Sequence, residues 1–251
     1  MKKQVGISGN TSGHEFKVVR GTMDDAVSVE GPDVLQQLAK LFNVYNESGS
    51  VVIFSNESRL KNFTKRSFDI IISILVLILF LPWIIPVFAL LIKLDSRGPV
   101  FFFQKRNKKN GKTFTCIKFR TMIVNAEADS IPASNYDKRI TRIGRFLRQH
   151  YLDELPQFFN VLLDDMSIVG PRPHMLSDNE LYSELIDHYP LRHKVKPGIT
   201  GLAQVMGYTG SSNDILKMKH RVYLDIFYVR HWSLRLDIKI LWHTFRKMIG
   251  L

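Results

Sequence analysis

The run Ile70–Ile92, IIISILVLILFLPWIIPVFALLI, carries no charge over 23 residues. At about 1.5 Å per residue a helix of that length would cross a bilayer core of about 30 Å. Two features argue against a simple crossing. Pro82 and Pro86 interrupt the run, and each deletes a helix hydrogen bond. Both flanks are basic, with Lys65 and Arg66 before the run and Lys93, Arg97, Lys105, Arg106, Lys108 and Lys109 after it. Positive flanks stay in the cytoplasm, so both ends belong on one side. A helix that enters the membrane, breaks at Pro82 and returns satisfies both facts. The rival readings are a kinked span and a buried helix of a soluble core.

Outward from this run the chain changes character. Residues 1–63 read as an appendage: polar at first, with helical spacing over Val34, Leu35, Leu38, Leu41 and Phe42 and a short strand at Val51–Phe54. After the run, Val100–Phe103 and Thr113–Ile117 read as two strands joined through Asn110-Gly111, a favoured hairpin pair. Lys118 and Arg120 follow in alternation, so both face one side. A short helix is expected within Ile123–Tyr136, ending in a loop around Pro132, and another helix over Leu176–His188. The two glycines of Lys196–Gly201 allow a close backbone approach to a ligand. Two amphipathic helices close the chain. Their stripes are Ile215, Met218, Val222, Ile226 and Val229, then Leu234, Ile238, Leu241, Phe245 and Met248. The second is basic and carries Trp242, a composition suited to the headgroup layer.

The chemistry concentrates in Arg142–Pro173, RIGRFLRQHYLDELPQFFNVLLDDMSIVGPRP. Pro156 suits the first position of a helix, whose apolar face is Phe158, Phe159, Val161, Leu162 and Leu163. Asp153 and Glu154 then stand at or just before a helix N-terminus, where anions are attracted. Arg142, Arg145 and Arg148 recur on one broad helical face. Gly170-Pro171-Arg172-Pro173 holds a further arginine in a stiff loop. Acids and arginines this close point to phosphoryl transfer: a carboxylate attacks phosphorus while cations offset the charge. The plainer alternative is that the two acids cap a helix and pair with Arg148.

The surrounding segments resemble the bacterial sugar transferases, the monotopic polyprenyl-phosphate phosphoglycosyl transferases. The matching pieces are KRSFDIIIS at Lys65–Ser73, GPVFFFQKR at Gly98–Arg106, KFRTM at Lys118–Met122, RITRIGRFLR at Arg139–Arg148, LDELPQFFNVL at Leu152–Leu162, MSIVGPRP at Met166–Pro173 and PGITGLAQV at Pro197–Val205. They cover roughly residues 61 to 245 in the family's order. Two positions depart from it: Leu81 stands where a serine often precedes the breaking proline, leaving Pro86 or Ser73 to share that task, and Lys108 replaces a common glycine.

The resemblance implies an α+β fold, mainly helical, with a small strand hairpin. The membrane is met through a re-entrant Pro-broken helix hairpin and amphipathic interfacial helices. The expected divisions are 1–63 appendage, 64–94 re-entrant helix, 95–213 catalytic core and 214–251 C-terminal helices. The implied reaction moves a sugar-1-phosphate from a UDP-sugar to a polyprenyl phosphate and releases UMP, through a covalent intermediate on Asp153. Glu154 would hold Mg²⁺. Arg120, Arg145, Arg148 and Arg172, with Lys118, would grip the diphosphate, while Lys105 and Arg106 near the membrane would suit the lipid phosphate. The place of action is the cytoplasmic face of a bacterial inner membrane. The rival from another class is a non-catalytic membrane scaffold in a glycan-assembly complex. No residue separates glucose from galactose or an N-acetylated hexose, and homo-oligomerisation stays open.

Composition is consistent with an anionic partner. The formal net charge is +12. The sequence contains no Walker-type loop, GxGxxG or cysteine–histidine cluster, so a nucleic-acid reading would rest on charge alone. His174, His188 and His193 lack metal-ligand spacing. The lone Cys116 excludes an internal disulfide and suits a reducing compartment.

Overall fold

The computed structural model describes residues 59–126, 133, 137–209 and 214–250. The helix and strand expected within residues 1–58, and most of 127–136, lie outside the described residues. The apolar run forms two helices, α1 (Arg59–Leu79) and α2 (Leu81–Asp95), bent by 59° at Phe80. Pro82 sits in the first turn of α2, where its missing N–H costs least. Pro86 lies inside α2, and the buried Ser73 hydroxyl has no partner among the described residues. No single described helix is long and apolar enough to cross a membrane; the bent pair passes that test together, by length and composition.

The start of α1 is pinned to the rest of the chain. Lys65 Nζ meets Asp237 at 2.7 Å and Asp69 at 3.3 Å. Arg66 donates to the carbonyls of Val161 and Leu162 at 2.6 and 3.0 Å. Asp69 in turn accepts from the Ile168 amide. The basic flank read as a topology signal thus also docks α1 on the rest of the chain.

The strand hairpin is longer than its apolar residues alone indicated: β1 (Phe101–Asn107) pairs antiparallel with β2 (Thr113–Phe119), Phe101 opposite Phe119. Asn110 and Gly111 both take positive φ in the connecting turn, as the Asn-Gly pair predicts. Residues 123–126 are not helical; Met122 instead makes a bridge with Ile140. Next come α3 (Arg142–Gln149), a 3-10 turn at Leu152–Glu154, α4 (Gln157–Leu162) and β3 (Ser167–Val169). They are followed by α5 (Leu176–Leu185), a 3-10 stretch at Tyr189–Lys194, β4 (Gly198–Thr200), α6 (Leu202–Val205), α7 (Ile215–His231) and α8 (Leu234–Met248).

Strands β3 and β4 pair in parallel. Here the glycines of Lys196–Gly201 approach backbone: a Cβ on Gly198 would stand 2.1 Å from the Gly170 nitrogen. Their close approach is to the chain itself, not to a ligand.

Among the described residues, three apolar clusters hold the elements together. The largest joins β2, α4, β3, α6, α7 and α8 through Cys116, Val161, Ile168, Leu224 and Ile240. A second packs Tyr182, Ile186 and Tyr189 on Met218, Val222 and Ile226 of α7. The third fixes α2 and α3 around Phe119, which stacks on Phe101 and meets Phe88 edge-on. The buried stripe of α8 is Leu236 and Ile240, with Leu241 packed beside it; Ile238, Trp242 and Phe245 are exposed. The expected stripe mixed these faces because tertiary contacts, not spacing, choose the inward side. On α2, Trp83, Val87, Leu90 and Leu94 form a second exposed apolar row.

Candidate active site

The fold brings Asp153 and Glu154 to the floor of a cleft of about 590 Å³, a size that accepts a small-molecule ligand. Three local devices place them. Thr141 caps α3 by accepting from the Gly144 amide at 3.0 Å, and Asp95 at the end of α2 accepts from the Ile143 amide at 2.8 Å. Tyr151 then takes a left-handed φ of 57°, which turns the chain sharply before the dyad. Asn160 of α4 clamps the free edge of β2, accepting from the Ile117 amide and donating to the Thr115 carbonyl. That clamp carries Lys118 to the dyad.

Glu154 accepts three of the roughly four hydrogen bonds a carboxylate can take. Lys118 Nζ lies 2.7 Å from its Oε1, and Arg172 spans both oxygens at 2.5 and 3.0 Å. Burial by itself would raise its pKa, but Arg172 and Lys118 outweigh burial and hold it well below the usual carboxylate range. Asp153 differs, since no hydrogen bond ties its carboxylate to any described residue. Burial, then the like charge of Glu154, push its pKa up to about 6, against the opposing pull of Lys118, Arg148 and Arg172. One acid is therefore a fixed anion and its neighbour a less committed one. Environments that push two neighbouring acids apart in this way assign them different tasks.

The expected phosphate grips divide. Lys118, Arg148, Arg172 and Arg106 line the cleft. Arg148 Nε is held by the Thr121 hydroxyl at 2.8 Å. Arg106 is fixed by Gln104 and by the Pro173 carbonyl at 3.2 Å. It lies on β1 opposite Phe114 and forms a bridge with Met175. Lys105 is exposed, bonds Thr115 and does not line the cleft. Arg145 is exposed on α3 and also outside the lining. Arg120 lines the cleft, yet its guanidinium donates to the Pro99, Arg97 and Ser96 carbonyls and the Ser96 hydroxyl. It ties off the C-terminal end of α2, a role that alternation along a strand does not reveal.

Sequence reading passed over the support beneath Arg172. Arg192, almost wholly buried, donates to Asp225 from Nε and Nη2 at 3.0 and 2.7 Å. Its Nη2 also donates to the Arg172 carbonyl at 2.7 Å. The partners are 33 residues apart on separate elements, so no local pattern flagged them. Thr121 was legible as part of the KFRTM piece, but its bond to Arg148 was not.

Among the described residues, no three or more His, Cys, Asp or Glu side chains gather as a metal site. Asp153 and Glu154 nonetheless supply hard oxygen donors. Mg²⁺ characteristically takes one or two carboxylates and completes its shell with substrate phosphates and water. The donor set fits an ion that arrives with a diphosphate.

The bacterial sugar transferase family model matches residues 60–250. The chain belongs to that family. It is 52% identical over 181 residues to a UDP-glucose:undecaprenyl-phosphate glucose-1-phosphate transferase of Klebsiella pneumoniae, covering 72% of this chain and 39% of that protein. It is 48% identical over 189 residues to the protein of the same name in Escherichia coli K12, covering 74% and 40%. An exopolysaccharide production protein of Rhizobium leguminosarum is 44% identical over 186 residues, covering 72% of this chain and 92% of its own length. The chain thus spans about two fifths of the first two relatives. The residues matched by the family model include all those that line the dyad cleft.

Proposed function

We propose that the chain is a phosphoglycosyl transferase that moves glucose-1-phosphate from UDP-glucose to a polyprenyl phosphate, the initiating step of lipid-linked glycan assembly. The observation that carries this reading is the buried Asp153–Glu154 pair facing Lys118, Arg148 and Arg172 in a ligand-sized cleft, within a chain of this family. The names of the two glucose-1-phosphate transferases favour glucose as the sugar.

The chemistry runs in two displacements. An Asp153 oxygen attacks the phosphorus nearer the sugar; the bond from that phosphorus to the oxygen shared with UMP breaks, and UMP leaves with the electron pair. An oxygen of the polyprenyl phosphate then attacks the same phosphorus, and the Asp153–phosphorus bond breaks. Glu154 keeps its charge throughout and locks Lys118 and Arg172 in place. Arg148 and Arg172 offset charge on the phosphate oxygens. Mg²⁺, held by Glu154 with Asp153 and the diphosphate, would neutralise charge on the leaving UMP.

The α1–α2 pair and the exposed faces of α2 and α8 support a place at the cytoplasmic surface of a bacterial inner membrane. A polyprenyl chain stays in the bilayer, and a hairpin dipping into one leaflet sets the cleft at the height where its phosphate meets a soluble donor.

The test is UMP release by nanodisc-held protein given polyprenyl phosphate, Mg²⁺ and UDP-glucose, UDP-galactose or UDP-N-acetylhexosamines, beside Asp153→Asn. Release with UDP-glucose, lost in the variant and on chelation, is expected. Normal turnover by Asp153→Asn would remove the nucleophile. No release from any donor would favour the scaffold reading.

A further inference from the structure

The cleft has two chemically different ends. Toward α2 its wall is Pro99, Phe101, Ile123 and Val124, with Arg120 stitched to the end of the helix. At α5 and α7 its wall is His174, Asp178, Tyr182 and Arg221. The displacements described above use nothing at this second end.

His174 is the informative residue. It is 4% exposed, and its Nδ1 lies 2.6 Å from the Tyr189 hydroxyl. That hydroxyl already accepts from Arg192 Nη1 at 3.2 Å. An arginine only donates, so the tyrosine proton stays available to Nδ1; we assign it there, with the ring proton on Nε2. Nε2 is buried and has no partner among the described residues. Burial, reinforced by nearby arginines, keeps the imidazole pKa well below its ordinary value, so the ring is neutral. A fixed, neutral, unsatisfied N–H beside a cleft is the donor that a hydroxyl oxygen requires, and an orphan of this kind calls for an explanation.

The reaction decides which part of the donor reaches it. Both displacements occur at one phosphorus, first by Asp153 and then from it. In-line geometry places the departing UMP and the entering lipid phosphate on the same side of that phosphorus, opposite Asp153. The lipid comes from the hairpin, so that side opens toward α2. The sugar remains through both steps and needs a place of its own, away from the lipid. The α5–α7 end offers His174 and Asp178 as hydrogen-bonding groups with the Tyr182 ring beside them, while its cation, Arg221, is tied through Nε to the Tyr208 carbonyl.

We propose that the α5–α7 end of the cleft is the sugar subsite, and that His174 Nε2–H donates to a hydroxyl of the transferred hexose. This rests on the phosphoglycosyl transfer reading. The test uses nanodisc-held full chain as wild type, His174→Ala and His174→Gln, with UDP-glucose, its monodeoxy analogues, and UMP as product inhibitor. His174→Ala is expected to lower kcat/KM about tenfold, the worth of one buried hydrogen bond, while the UMP inhibition constant stays unchanged. His174→Gln recovers part of the loss. One monodeoxy analogue loses about tenfold on wild type and nothing further on His174→Ala. That analogue series on wild type needs no variant to fold. Unchanged kcat/KM in His174→Ala, a parallel weakening of UMP inhibition, or analogue losses identical in both forms would each overturn the assignment. Wild type that releases UMP from no donor defeats the transfer reading itself, and the subsite with it, an outcome separable from an active wild type indifferent to His174.

Discussion

Gly144→Ala sets two calculable effects against each other. Gly144 lies in the first turn of α3, where alanine is favoured over glycine by about 1 kcal/mol. Its added Cβ would stand 2.0 Å from the Thr121 carbonyl oxygen and 2.6 Å from the carbonyl carbon. Real contacts of this kind do not fall below 3.0 Å, so helix and strand end must part by about 1 Å. The oxygen cannot simply turn away, because it accepts from the Thr141 amide at 3.1 Å. Overpacking of this type costs about 1–3 kcal/mol. The overlap with fixed backbone puts the cost in the upper part of that range, so the propensity gain loses. A net loss of about 1–2 kcal/mol lowers Tm by about 2–8 °C for a domain of this size. The same displacement reaches the chemistry: α3 carries Arg148, bonded to the Thr121 side chain. Misplacing a phosphate-facing group by about 1 Å lowers kcat about 100-fold. Thermal unfolding and UMP release are the measurements, with Gln149→Ala, exposed on the same helix, as the control. A Gly144→Ala protein with unchanged or higher Tm and unchanged kcat would refute the packing argument.

Three further outcomes follow from the site. With Asp153 titrating at about 6 and acting only when ionised, kcat/KM for the donor is expected to fall as pH drops below about 6, with unit slope; a flat profile down to pH 5 would exclude it as the nucleophile. Because its folded pKa lies above the unfolded 3.8, the stability it contributes is full below 3.8 and is lost as pH rises through 6. Asp153→Asn should therefore stabilise the fold at pH 7.5 by up to about 3 kcal/mol for the roughly 2-unit shift, read as a higher Tm, while abolishing turnover; a lower Tm would contradict the burial argument. Arg192→Leu leaves Asp225 unpaired in the core and should cost about 3–5 kcal/mol, whereas Arg192→Leu with Asp225→Leu should recover most of it by thermal unfolding.

The sequence by itself determined the local features. The uncharged run with its prolines dictated a broken helix pair, and Asn110-Gly111 dictated a hairpin turn. The Asp-Glu-Leu-Pro order placed two acids just ahead of a short helix. Each follows from the chain's own backbone preferences within a few residues, which is why each is readable without a partner. The tertiary structure decided which cations meet the acids. Lys118 near the end of β2 and Arg120 just beyond it alternate, yet one grips Glu154 and the other ties off the segment after α2, because Ser96, Arg97 and Pro99 present carbonyls there and the Asn160 clamp supplies the register. Arg145 and Arg148 share a helix face, but only Arg148 meets Thr121. The Arg192–Asp225 support under Arg172, and the Tyr189 contact that fixes His174, join residues with no spacing in common. Charge selects its partner by distance in space, and that distance is set only when the three apolar clusters close.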